Sequence, residues 1–144
     1  MPGKSDYLEQ MFLDLVFTAT TDPAFASNAG TATNLYVSLH TANPYATDES
    51  ADQTTGETSY TGYTRVAVAR SPAGWTRTGS VISPADNIDF PQCSGGSATI
   101  THFCIGTSAS GAGSILYSGA VTPNIAVSTG VIPRITTAST ITED

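Results

Sequence analysis

Charge is what this sequence has least of: 12 % of its 144 residues are Asp, Glu, Lys or Arg, against roughly 25 % in an average globular domain. The basic side chains are Lys4, Arg65, Arg70, Arg77 and Arg134, and the formal net charge is −7. So few cations release few counterions from a phosphate backbone, so no nucleic-acid partner is expected. The same balance argues against an anionic membrane surface. No apolar run approaches the roughly 20 residues that span a bilayer. Asp6 and Glu9 follow Lys4, with no apolar stretch and cleavage site behind them, so no secretory signal is expected. No Asn is followed two positions later by Ser or Thr, so no glycosylation acceptor is present.

Candidates for chemistry are equally sparse. There are two cysteines, Cys93 and Cys104, and two histidines, His40 and His102. Zinc sites carry ligands in close pairs, and here only His102 and Cys104 fall two apart on one strand. No metal or cofactor is therefore expected, and the cysteines read as free thiols rather than a disulfide framework. Cys104 falls in an apolar run, which raises a thiol pKa and disfavours a nucleophilic role. Gly106–Ala112 has the glycine spacing of a phosphate loop, but Ala112 stands where its lysine belongs. No Gly-x-Ser-x-Gly elbow occurs either. The expectation is a protein that is not an enzyme.

What is present is strand patterning. Leu35, Val37 and Leu39 alternate with Tyr36, Ser38 and His40 until Asn43-Pro44 stops the run. Tyr63–Arg70 alternates again, followed by a polar strand at Trp75–Val81, a turn over Ile82–Asn87 and a short strand at Ile88–Phe90. Ala98–Ile105 is β-branched and aromatic on both faces, which marks a central strand. Ser108–Gly113 links it to Ile115–Val121, and a last segment runs from Ile135 to Ile141. Seven or so short strands between Gly/Pro turns predict a mainly β fold, an antiparallel sandwich or jelly roll. One helix is expected from Ser5 to about Phe17, capped by Ser5, with Leu8, Met11, Phe12, Leu15 and Val16 as its apolar stripe. The organisation read from this is a helix in residues 1–20 and one β domain in 21–144.

Two places read as interaction surfaces. Asp48, Glu49, Asp52 and Glu57 form the acidic cluster of a long loop, without the spacing of a calcium loop. Tyr60, with Tyr63 and Trp75, offers aromatic area, and Leu8, Met11, Phe12 and Leu15 offer the helix stripe, either to the domain itself or to a neighbouring subunit.

In order and spacing the motifs resemble those of small virion proteins of tailed bacteriophages. They are Leu35–Pro44, Gly62–Val68, Phe90-Pro91 followed by Ala98–Ile105, and Gly113–Ala120. Such proteins are often labelled tail-fibre proteins, and similar ones serve as capsid cement or decoration. The resemblance implies a non-enzymatic subunit on the capsid surface of the virion, assembled in the host cytoplasm. Its partners would be the major capsid protein and its own copies, as dimer or trimer. The alternative it leaves is a receptor- or carbohydrate-binding module on the tail or head surface.

Overall fold

A computed structural model describes residues 5–20, 33–48 and 50–143, without the side chains of Asp6, Tyr7 and Leu8. It contains α1 (Asp6–Leu13), a π-helical turn (Asp14–Thr18) and nine strands. These are β1 (Asn34–His40), β2 (Val66–Ala69), β3 (Trp75–Thr78), β4 (Val81–Pro84), β5 (Ile88–Asp89), β6 (Ser97–Gly106), β7 (Ile115–Ser128), β8 (Arg134–Ile135) and β9 (Ile141–Thr142). The fold is mainly β and antiparallel, with one short N-terminal helix, as the sequence predicts. The strands form three sheets, in the orders β2-β1-β6-β7, β3-β4-β9 and β5-β8. The chain groups into two compact units, residues 1–34, 69–88 and 135–144 in one and 35–68 and 89–134 in the other.

In the first unit the helix lies on the β3–β4 hairpin. Gly79 (φ +60°) turns the chain so that Thr78 pairs with Val81. The polar strand expected over Trp75–Val81 is therefore two strands, and the turn expected at Ile82–Asn87 begins only at Ala85, because Val81–Pro84 is the returning arm. Met11, Leu13 and Phe17 are buried, and Phe17 meets Trp75 edge to face at 4.7 Å. Glu9 shares that face because the Ser80 hydroxyl donates to its carboxylate (2.7 Å). The buried positions 9, 13 and 17 are four apart. Of the expected stripe Met11 joins the buried residues, while Leu15 and Val16 are half-buried and Phe12 is 38 % exposed. The widened turn explains part of this, since Thr18 Oγ1 and the Thr20 amide both bond the Asp14 carbonyl and Ala19 ends it at φ 55°. Arg70 donates to the Val16 carbonyl (2.7 Å), which engages an acceptor left over at the helix end.

In the second unit β6 is central, as its two-faced apolar pattern requires, with β1 on one side and β7 on the other. His40 stands opposite His102 and Ser38 opposite Cys104. Both faces of β1 are buried from Val37 to His40. Strand β2 is shorter than its alternation predicts. Gly62 (φ +97°) and the bond from the Tyr63 amide to the Tyr60 carbonyl (3.0 Å) hold that stretch in a turn. Strand β7 continues seven residues past the expected end at Val121, to Ser128. Pro123 does not stop it, because the β6–β7 register jumps from Ile100↔Ile125 to His102↔Ala120 and the proline falls in that bulge. A residue without an amide hydrogen fits where no ladder bond is made.

Candidate functional site

The acidic loop between β1 and β2 is the most heavily bonded part of the second unit. Its first carboxylates hold turns. Asp48 accepts from the Ser50 amide (2.8 Å) and hydroxyl (2.6 Å), and Asp52 from the Thr54 amide (2.7 Å) and hydroxyl. These bonds favour the charged form and hold both carboxyls below the usual range. Glu57 is different. Arg65 grips it through Nε (2.7 Å) and Nη2 (2.8 Å), and the Tyr63 hydroxyl donates to it (2.9 Å) while accepting from the Leu39 amide (3.0 Å). Arg65 also donates to the carbonyls of Ser108 (2.9 Å) and Gly111 (2.8 Å). One guanidinium thus ties the loop to the β6–β7 hairpin, with only 2 % of its side chain exposed. Burial pushes the Tyr63 phenol well above its usual range.

Gln53 makes the second tie. Its backbone N–H donates to the Gly113 carbonyl (2.8 Å), and its side-chain oxygen accepts from the Ser108 amide (3.0 Å). The side chain is fully buried. A Cβ placed on Gly106 or Gly113 would stand 2.2 Å from it, so both glycines are there to admit the carboxamide. His40 makes the third tie. Its Nδ1 faces the Thr55 carbonyl (2.9 Å), a pure acceptor, so Nδ1 carries the proton and Nε2 accepts from the Ser38 hydroxyl (2.9 Å). Both ring nitrogens are satisfied in the neutral form, and burial holds the imidazole below its ordinary pKa.

Among the described residues no group of three His, Cys, Asp or Glu side chains is placed to hold a metal ion. The register does bring His40 and His102 together, but the His40 nitrogens are engaged and His102 Nδ1 pairs with the Thr101 hydroxyl (2.9 Å). Both cysteines are free and buried, and burial pushes the Cys104 thiol up to about 11. A cleft of about 240 Å³ opens where β1 ends, walled by Thr41, Glu57–Thr61 and Gly95–Ala98. Its lining is mostly hydroxyl, and its one carboxylate is the Glu57 group that Arg65 holds.

Of the residues expected to form interaction surfaces, Asp48 is exposed, Asp52 and Glu57 are half-buried, and Glu49 lies outside the described residues. Tyr60 is no surface residue: it is 5 % exposed, its hydroxyl donates to the Pro91 carbonyl (2.8 Å), and its ring packs against Tyr63. Trp75 is 2 % exposed, so neither it nor Tyr60 offers aromatic area at the surface. On the helix Met11 is buried, Leu15 half-buried and Phe12 exposed, and the Leu8 side chain lies outside the described residues. Sequence reading missed Gln53, Tyr63 and Arg65 as partners. The available signal was an isolated arginine beside an apolar strand, eight residues after a glutamate.

A family model described as podophage GP4 fiber I protein gp80 matches residues 3–142. The chain belongs to this family. A member of the gp80 family is a phage structural protein, which makes this chain virion-associated and bears out the coarser part of the resemblance. No curated protein matches it. The family's description speaks of a fibre and carries no mention of capsid cement.

Proposed function

We propose that this gp80-family chain is a non-catalytic fibre-type subunit, held in the virion by protein–protein contacts and present in several copies. The observation that supports the reading is the use of its ionisable groups. Glu57, Arg65 and His40 fasten the loop of residues 41–58 to strand and hairpin and leave no acid–base pair facing the cleft. A surface with few charged side chains suits assembly. The second reading is a cement subunit on the major capsid protein, which the ordered motifs from Asn34 to Pro133 favour. Gold labelling of an epitope-tagged copy in intact particles separates the two. Label confined to an appendage, with loss of adsorption when the gene is deleted, is the expected result. Label spread over the shell, with heads that lose DNA on heating, would replace the fibre reading by the cement one.

A further inference from the structure

Charge is not spread evenly along this chain. Residues 90–133 contain no Asp, Glu, Lys or Arg, so every such side chain lies in residues 1–89 or 134–144. The uncharged stretch contains all of β6 and β7, and β7 ends the four-stranded sheet. Among the described residues its outer edge has no partner strand beyond the bridge between Asp52 and Ser114 at its start. Natural edge strands are usually short or carry charge, commonly lysine, which stops them from pairing with another chain. The opposite edge follows that rule by its length: β2 has four residues. Strand β7 has 14 residues and no charge. Leu116 is 39 % exposed, and Ala120 and Ala126 lie at the surface.

We propose that the outer edge of β7 is a pairing surface for a second copy of this chain, antiparallel about a two-fold axis. Charge selects that occupant. A basic partner would be drawn to the acidic part of the molecule, whereas a second copy also carries −7 and comes close most easily where neither chain is charged. The bulge around Pro123 divides the edge into two straight runs, Ser118–Ala120 and Ile125–Ser128, and a second register shift at Leu116 sets off the start of the strand. A two-fold axis through the bulge sets the first run of one copy against the second run of the other. Such a contact is self-complementary and closes at two chains. The proposal deepens the multi-copy part of the fibre reading and rests on it only there, because virion placement is judged on particles and pairing on the isolated protein.

The test is sedimentation equilibrium of the full chain over a range of concentrations, beside an Ala120→Asp/Ala126→Asp double variant and a Thr136→Asp control. Amide exchange of the parent is followed at low and high concentration. The expected result is a monomer–dimer equilibrium in the parent and the control, weakened at least tenfold in the double variant. Exchange at the outward-facing amides of residues 118–120 and 125–128, those that do not bond β6, should slow as the dimer forms, a readout that does not depend on the variant folding. A parent that stays monomeric overturns the proposal, as does a trimer or a dimer indifferent to the folded double variant. Protection of those amides already in the monomer would also overturn it, because the chain's own residues would then cover the edge.

Discussion

At the scale of single residues, burial decides which ion pairs matter. Arg65–Glu57 is enclosed and its remaining donors meet two carbonyls, whereas Arg134 and Asp89 pair with about half of each side chain in solvent. Exposed pairs contribute little, while removing one partner of a buried pair costs about 3–5 kcal/mol. Arg65→Ala should fall at the low end, about 3 kcal/mol, because Glu57 keeps the Tyr63 hydroxyl. Urea unfolding of the variant measures this, and Arg134→Ala should leave the midpoint nearly unmoved. Equal losses would mean that the guanidinium does not hold the loop. None of these partnerships was legible beforehand. Asp48, Asp52 and Glu57 look alike in a sequence, yet two close local turns and the third completes a network with a residue eight positions on. Gln53 was less visible still, because nothing local announces that a carboxamide will enter a gap left by glycines 53 and 60 residues later.

At the scale of elements, pattern was informative wherever one regular conformation runs its full length. The alternation of Leu35, Val37 and Leu39 and the two-faced run Ala98–Ile105 gave β1 and β6, including the central place of β6. It was less informative where geometry changes inside an element. A strict helical period points to Phe12, Leu15 and Val16, while the buried face follows Glu9, Leu13 and Phe17 into the π-helical turn. Leu13→Ala should therefore cost about 2–5 kcal/mol, the usual range for a fully buried leucine. Phe12→Asp should cost far less. Thermal melts of the two variants decide it, and a larger loss from Phe12→Asp would restore the original stripe. Prolines mislead in the same way: Pro123 reads as a stop until the bulge that accommodates it is known.

At the scale of the whole molecule, kinship with phage structural proteins was legible from motif order, while placement within the virion is not a property of one chain's pattern. Net charge adds an expectation of its own. Copies at −7 repel over roughly 10 Å at 0.1 M salt and over about 3 Å at 1 M. If an uncharged edge mediates pairing, raising salt should tighten the dimer in sedimentation, and a dimer loosened by salt would instead require ionic contacts. The path of the backbone has a different kind of consequence. One compact unit is assembled from residues 1–34, 69–88 and 135–144, the other from 35–68 and 89–134. No uninterrupted stretch of the gene encodes either one. A crossover between related phages at any single point splits the first unit, and one that falls between residues 35 and 134 splits the second as well. A hybrid gene therefore always builds the first unit from segments of both parents, which must still fit one another.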